Sequence, residues 1–184
     1  MNKKALVILA KGFEETEAIV SIDILRRSEI EVIVAGSEHD VVIGAHGIAV
    51  KTDIKLEDYD GLPDAIVLPG GMPGAENLAK AVKIKDILLK MKKEKKLIAA
   101  ICASPALVLA PAGILDEKSA TCYPGLEKNF SSKTKISEEK IVQDGNVITS
   151  RGAGTAHLFG FKIAENLVGK EKADMIAEQM LYSR

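Results

Sequence analysis

The chain has 184 residues, 47% apolar and 28% charged, and a formal net charge of −1 at pH 7. This composition allows a buried core in one domain over residues 1–184, and the near-neutral charge argues against nucleic acid and anionic membranes as partners. Two cysteines in a chain of this length do not form a disulfide framework. Trp is absent and aromatic residues make up 4%, which argues against a base-stacking surface.

The N-terminal segment carries two lysines and a short apolar run at residues 5–10, which Lys11 and several acids follow. This run is too short for a signal peptide or a membrane span. No other segment approaches the roughly 20 apolar residues that cross a bilayer. We therefore expect a protein of the reducing cytoplasm that does not bind membranes.

Short apolar segments alternate with helical patterns along the chain. In chain order, the expected elements are a strand (5–10), a helix (13–27), a strand (30–36), a hairpin (41–50), a strand (64–69), a helix (83–96), a strand (97–102), a helix (104–113), a strand (119–124), a hairpin (140–150) and two closing helices (154–169 and 170–183). This alternation predicts an α/β protein with a mostly parallel sheet covered by helices on both faces.

Chemically useful groups follow four of the predicted strands. Three carboxylates lie in the segment 11–17, glycines lie in the segment 70–74, Cys102 ends the fourth strand, and Arg151 follows the last one. Because the carboxyl ends of parallel strands meet at the same edge of a sheet, we expect these groups to converge. Acids, backbone amides, a thiol and a guanidinium together indicate a site.

Cys102 interrupts two apolar runs in LIAAICASPALVLA. A buried core cysteine is the commoner case. Small neighbours such as Ala103 and Ser104, however, leave room for a strand-to-helix bend that presents a nucleophile, although the Gly-x-Ser-x-Gly pattern of hydrolases is absent. The start of the following helix also favours a thiolate. We therefore interpret Cys102 as a nucleophile.

The glycine pair in LPGGMPG follows a strand and precedes a helix. It lacks the G-x-G-x-x-G pattern and the Lys-Ser/Thr pair of phosphate-binding loops, so it is a weak nucleotide signal. The backbone N–H groups of Gly70 and Gly71 would serve better as an oxyanion hole beside Cys102.

The second cysteine and the histidines have simpler interpretations. Cys122 in SATCYP is interpreted as a packed strand residue, with a resolving thiol for Cys102 as the alternative. His157 lies early in a helix, where it either faces the site or packs. His39 and His46 flank the predicted hairpin and are interpreted as surface or turn residues. No two histidines have metal-ligand spacing, so no metal site is expected.

Four motifs together resemble a known family. ALVILAKGFEETEA, DAIVLPGGMPGAENL, LIAAICASPALVL and ITSRGAGTA are similar to the ThiJ/PfpI superfamily, above all to the branch of the Parkinson-disease protein deglycase and its bacterial relatives. The similarity covers nearly the whole chain, with the motifs in the family's order. It implies a flavodoxin-like three-layer α/β/α sandwich, a single class I glutamine amidotransferase-like domain, a homodimer and one oxidation-prone cysteine at a nucleophile elbow.

The resemblance also implies roles for individual residues. It makes Cys102 the nucleophile and Glu17 its carboxyl partner, a choice that helical spacing alone does not make among the acids of EETE. The other implied residues are the backbone donors Gly71 and Ala103, the pocket residues Gly70, Tyr123 and Arg151, and the pair Arg26 and Arg27 near the dimer contact, with Arg27 lining the pocket.

Two positions depart from the family's pattern. Tyr123 stands where several members have a histidine beside the cysteine, and a tyrosine with a pKa near 10 is a poor base at neutral pH. Ala103 stands where the peptidase-like branch has a histidine directly after the cysteine. These departures weaken a Cys–His mechanism and a peptidase activity.

The resemblance implies a cysteine-dependent glyoxalase or protein deglycase, acting without a cofactor on α-oxoaldehydes or their glycated adducts during oxidative and carbonyl stress. The alternative is a redox sensor or holdase chaperone with an oxidisable cysteine. An intracellular cysteine peptidase is the third interpretation.

Overall fold

A mostly parallel β-sheet organises the part of the chain that the computed structural model describes, residues 3–183. The strands are β1 (Lys4–Leu9), β2 (Glu31–Gly36), β3 (Val41–Ile43), β4 (Ala49–Lys51), β5 (Ile54–Lys55), β6 (Ala65–Leu68), β7 (Leu97–Ile101), β8 (Ser119–Ala120), β9 (Lys135–Ile136), β10 (Ile141–Asp144) and β11 (Val147–Ser150). The α-helices are α1 (Glu15–Arg27), α2 (Gly74–Lys80), α3 (Val82–Lys93), α4 (Ala156–Val168) and α5 (Lys170–Gln179).

Within this part of the chain, seven strands form the central sheet in the order β10-β11-β7-β6-β1-β2-β5. All neighbours run parallel except β10, which pairs with β11 in an antiparallel hairpin. In the central register, Leu6 of β1 lies opposite Ile33 of β2 and Ile66 of β6. Two small pairs lie outside this sheet, the antiparallel hairpin β3–β4 and the parallel pair β8–β9.

Helices cover both faces of the sheet, because alternate residues of each strand point to opposite sides. In β1, Val7 belongs to a core with α1, α4 and α5, whereas Leu6 belongs to a core with α2 and α3. The two cores make a three-layer sandwich. The mostly parallel sheet and its two helical layers confirm the expected fold.

The amphipathic pattern predicted for residues 83–96 is confirmed by α3. Its buried side chains recur at a spacing of three and four residues, while its lysines face outward. The buried side chains are Ile84, Ile87, Leu88 and Met91. Among residues 3–183, no helix combines the length and the apolar character needed to cross a bilayer.

Two predicted elements are shorter than expected. The helix expected at 104–113 is a π-helical segment over Pro105–Leu109, in which the Ala110 N–H donates to the Pro105 carbonyl at 3.0 Å. The strand expected at 119–124 ends at Ala120, so Cys122 lies in a loop.

Candidate active site

Cys102 lies on a sharp bend directly after β7. Its backbone φ is 64°, in the left-handed region that side chains with a Cβ rarely adopt. The bend is held on both sides, because the Cys102 N–H donates to the Ser150 carbonyl at 2.9 Å and its carbonyl accepts from the Tyr123 N–H at 2.8 Å. The side chain stays partly exposed. This is the conformation expected of a nucleophile elbow.

Glu17 lies in the first turn of α1 and is only 1% exposed. Its Oε2 accepts a 2.7 Å hydrogen bond from the Gly70 N–H, and its Oε1 meets no hydrogen-bond donor in suitable geometry among residues 3–183. A Cβ at Gly70 would lie 3.0 Å from Glu17 Oε2 and 2.6 Å from the Cys102 Cβ. The structure therefore brings carboxyl and thiol together around a glycine that has no room for a side chain.

Burial raises the pKa of Glu17 to about 7. The Gly70 N–H and the Cys102 thiol oppose this rise, since both favour the ionised carboxylate, while the charge of Glu14 adds to it. A carboxyl group with this pKa accepts and releases a proton readily at neutral pH.

The pKa of the Cys102 thiol is raised to about 12, by burial first and then by the charge of Glu17 and its hydrogen bond. The start of the following helix was expected to favour the thiolate. Beside an ionised Glu17, however, the pKa of the thiol is raised. The N–H groups of Gly71 and Ala103 do favour the thiolate, as expected, but they do not outweigh burial and the neighbouring charge. Thiol and carboxyl hold one proton between them from about pH 7 upward.

Gly70 and Gly71 have different partners, whereas both were predicted to act as oxyanion donors. The Gly70 N–H is already bonded to Glu17, so it is not free to act as an oxyanion donor. The Gly71 N–H faces the sulfur instead, together with that of Ala103. Gly71 has a φ of 90°, and a Cβ there would lie 2.4 Å from the Gly12 carbonyl oxygen. Only glycine fits this position.

Arg151 and Tyr123 belong to the loops around Cys102. Arg151 directly follows β11, whose last residue, Ser150, lies opposite Ile101 in the sheet. Its Nη1 is buried and has no hydrogen-bond partner in the described chain. The Tyr123 ring is half exposed and lies close to Gly152. Their contribution to a substrate pocket stays a prediction.

Arg26 and Arg27 do not approach Cys102 through contacts within this chain. Arg27 Nε donates to Asp23 Oδ2 at 2.8 Å, and Arg26 Nη2 donates to Asp53 Oδ2 at 3.2 Å. Both arginines lie at the exposed end of α1. The prediction that Arg27 lines a pocket requires a second subunit, and it stays a prediction.

The surroundings of Cys122 and His157 indicate packing roles for both residues. Cys122 is completely buried, burial raises its pKa to about 12, and both cysteines are free thiols. The His157 ring stacks on Tyr182 with 5.2 Å between ring centroids, and Tyr182 also stacks on Phe161. This stacking supports the interpretation that His157 packs. Its partner Tyr182 follows α5, whereas His157 lies at the start of α4.

A polar contact that the sequence did not predict lies next to Glu17. Glu15 is buried in the first turn of α1 and accepts hydrogen bonds from both the backbone and the ring of His46, in the loop of the β3–β4 hairpin. Glu14, the N-cap residue of α1, accepts from the Glu17 N–H at 2.7 Å. The three acids of EETE were a signal in the sequence, but the His46 partner of Glu15 lies 31 residues further along the chain.

Curated proteins are similar to this chain over nearly its whole length. The chain is 40% identical to Protein dj-1beta of Drosophila melanogaster over 191 residues, covering 100% of this chain and 99% of the relative. It is 36% identical to Glutathione-independent glyoxalase DJR-1.2 of Caenorhabditis elegans over 185 residues, covering 100% and 98%. By contrast, the chain spans 40% of the length of the Arabidopsis thaliana Protein DJ-1 homolog B, to which it is 41% identical.

Among solved structures, oxidised Toxoplasma gondii DJ-1 superposes with a TM-score of 0.95 at 38% identity, covering 99% of this chain and 100% of that one. Residues 3–166 match the DJ-1/PfpI family. The match covers most of the chain, including both the Glu17 turn and the Cys102 elbow. The chain belongs to the DJ-1/PfpI family.

Proposed function

We propose that this protein is a cysteine-dependent enzyme that converts α-oxoaldehydes such as methylglyoxal, or their adducts on proteins and nucleotides, into hydroxy acids. The observation that carries the proposal is the buried Glu17 carboxyl, with a pKa near 7, adjoining a cysteine on a strained elbow. The name of the Caenorhabditis elegans relative, a glutathione-independent glyoxalase, supports the same reaction class.

The first step forms a covalent hemithioacetal. The Cys102 sulfur attacks the aldehyde carbon while its proton passes to the Glu17 carboxylate, and the new alkoxide then takes that proton. The N–H groups of Gly71 and Ala103 face the sulfur, so they stabilise its negative charge as the proton leaves. In this proposal they then stabilise the oxyanion that develops on the substrate.

The second step moves hydrogen within the bound substrate. The Glu17 carboxylate removes the proton from the former aldehyde carbon, the neighbouring carbonyl oxygen is protonated, and an enediol forms. Protonation of the second carbon then gives a thioester, which water hydrolyses to a hydroxy acid and the free thiol. One carbon is oxidised, its neighbour is reduced and one water is consumed, so the reaction needs no external electron acceptor and no cofactor.

The test is turnover of methylglyoxal to lactate by the wild type, Cys102→Ser and Glu17→Gln. We expect the wild type to produce lactate and both variants to lose at least about a hundred-fold in kcat/KM, as removal of a nucleophile or of general acid–base catalysis does. Cys122→Ser is the matched control, because the second thiol is completely buried. Equal rates in the wild type and Cys102→Ser would refute the proposal.

A redox-sensing or holdase function is the second candidate, with an observation of its own. Cys102 is partly exposed whereas Cys122 is buried, so an oxidant reaches one thiol selectively. A protonated Glu17 would donate a hydrogen bond to a sulfinate at Cys102 and stabilise it. Peroxide treatment followed by mass spectrometry should then place a two-oxygen gain on Cys102 alone, and equal oxidation of Cys122 would contradict selective sensing.

We also propose that the protein acts in the cytoplasm as a homodimer. Large apolar side chains are exposed on α1 and on the neighbouring β3–β4 hairpin, where a second subunit would cover them. They are Ile19, Val41, Ile43 and Ile48. A partner at this face would also approach the first turn of α1, which carries Glu17.

A further inference from the structure

The loop of the β3–β4 hairpin is attached to α1 through a single buried side chain. Glu15, whose side chain is 7% exposed, accepts from the His46 N–H at 2.6 Å through Oε1 and contacts the His46 Nδ1 at 2.8 Å through Oε2. The Ile48 N–H is a third, longer donor at 3.5 Å. One carboxylate therefore accepts from two residues of the loop 44–48.

The fit around this carboxylate is close. A Cβ at Gly44 would lie 2.3 Å from Glu15 Oε1, so only glycine leaves room for the acid. Two backbone hydrogen bonds flank the contact, from the Gly12 N–H to the Ile43 carbonyl and from the Ala45 N–H to the Phe13 carbonyl, both at 2.8 Å. The hairpin is thus packed against the segment that leads into α1.

The same turn of α1 carries the proposed catalytic carboxyl. On the side facing the elbow, the Glu14 N–H donates to the Gly70 carbonyl at 2.9 Å and Glu17 accepts from the Gly70 N–H. On the other side, Glu15 is held by the hairpin. The first turn is therefore clamped between the Gly70 loop, which adjoins Cys102, and the hairpin.

We propose that Glu15 and His46 are positioning residues, whose hydrogen bonds hold the first turn of α1 so that the Glu17 carboxyl stays buried against Cys102. They act through Glu17 and touch no reacting atom. The proposal extends the proposed function. Only the measurement of turnover depends on that function being correct.

The contact between the two side chains is also sensitive to pH. Burial would raise the pKa of Glu15, but the hydrogen bonds from the His46 ring and backbone lower it below its usual value. The same partner raises the pKa of His46, with a smaller contribution in the same direction from Glu14. Among residues 3–183, the charged groups that shift the pKa of His46 are these two acids. The ion pair is complete below the usual pKa of histidine and weakens as the pH rises through the raised value.

The decisive variant is His46→Ala, because this side chain is 73% exposed and its loss leaves no cavity. Glu15→Gln is the second variant, since it removes the charge but keeps an acceptor for the loop. His39→Ala is the matched control: it removes a histidine that is 74% exposed, lies before the same hairpin and pairs with Glu38 at 3.8 Å.

The first readout is the rate of Cys102 alkylation by iodoacetamide against pH, with the site of modification read by mass spectrometry. In the wild type we expect this rate to rise up to about pH 7 and then to level off, with its midpoint at the pKa of Glu17. Above that pH the pair keeps one proton, which the thiol holds most of the time, so the thiolate fraction stops growing. In both variants the first turn loosens, water reaches Glu17, and the midpoint moves to lower pH. His39→Ala should follow the wild type. Glu15 does not itself shift the pKa of Glu17, so a midpoint shift reports position rather than charge.

The second readout is methylglyoxal turnover. Misplacing Glu17 should lower kcat by about ten-fold to a hundred-fold with little change in KM. His46→Arg, which offers a permanently charged donor, should restore both the midpoint and kcat. A shifted alkylation midpoint in protein without any turnover would support the inference and refute the proposed function. Unchanged midpoint and kcat in both His46→Ala and Glu15→Gln would overturn the inference.

Discussion

The carboxyl of Glu17 makes the folding stability of this protein depend on pH. In the folded chain this acid keeps its proton up to about pH 7, whereas in the unfolded chain it loses it near 4.5. Between these values the folded state binds the additional proton, so the free energy of unfolding falls as the pH rises. The difference amounts to about 3 kcal/mol, since one unit of pKa corresponds to roughly 1.4 kcal/mol.

Glu17→Gln should therefore become more stable than the wild type as the pH is raised. The amide is uncharged, fits the same space and can still accept from the Gly70 N–H. Urea denaturation at pH 4.5 and above pH 7 measures the effect, and we expect the gap between variant and wild type to widen by about 3 kcal/mol. Glu76→Gln, which removes an exposed charge from α2, controls for net charge. A constant gap would contradict the raised pKa.

For single residues, the sequence predicted which residues form the site better than it predicted their pKa values. Cys102 stood out by its small neighbours, and Glu17 came from the resemblance to the family, because three acids share one helical turn. The direction of the thiol pKa could not be predicted. It depends on burial and on a negative charge from a residue 85 positions away, and neither quantity is a property of the segment around Cys102.

Among the connecting segments, the loop after β6 is the one whose geometry most constrains the site. Gly70 donates to Glu17 and lies against Cys102, and its missing side chain lets the two approach. Gly70→Ala should push them apart. We expect turnover to fall by at least about ten-fold and stability by about 1–3 kcal/mol, as overpacking does.

Gly154→Ala is the matched control for that change. A Cβ at this position meets nothing within 4 Å, although the residue lies in the short 3₁₀ turn, Ala153–Thr155, that follows Arg151. Thermal melting and methylglyoxal turnover should both stay close to the wild type. If Gly70→Ala kept the turnover and melting temperature of Gly154→Ala, the close approach of thiol and carboxyl would not matter for turnover.

The strands and helices followed from periodicity, because each pattern reports which face of an element is buried. The hairpin at 41–50 was predicted as well. Its attachment to α1 was not, since Glu15 and His46 are 31 residues apart and hydrogen bonding between them leaves no periodic trace. The π-helical turn after Cys102 was also missed, because a proline near a helix start usually fits an α-helix.

For the whole molecule, the exposed apolar side chains of α1 and the hairpin determine the expected assembly. Ile19→Asp places a charge in the proposed dimer contact, so we expect the protein to become monomeric. Light scattering coupled to gel filtration measures this mass. Leu89→Asp is the control, because Leu89 on α3 is 44% exposed, close to the 42% of Ile19, and lies in the opposite helical layer. A dimer that survives Ile19→Asp, or dissociates in both variants, would contradict this contact.

The three-layer architecture was the most predictable property of the chain, since alternating strands and helices allow few arrangements. Which loops would meet also followed from it, as the carboxyl ends of β1, β6, β7 and β11 share one edge. What the topology could not predict is how each loop uses its groups, such as the Gly70 N–H that serves Glu17 rather than a substrate.

The left-handed backbone of Cys102 sets the folding stability of the protein against the reactivity of its thiol. A residue with a Cβ in this conformation costs about 1–2 kcal/mol relative to the right-handed form. Hydrogen bonds to Ser150 and from Tyr123 hold it there. The protein thus gives up folding free energy at the position where it displays its thiol. Selection for stability alone would favour glycine at residue 102, so the cysteine marks a place where chemistry outweighs folding.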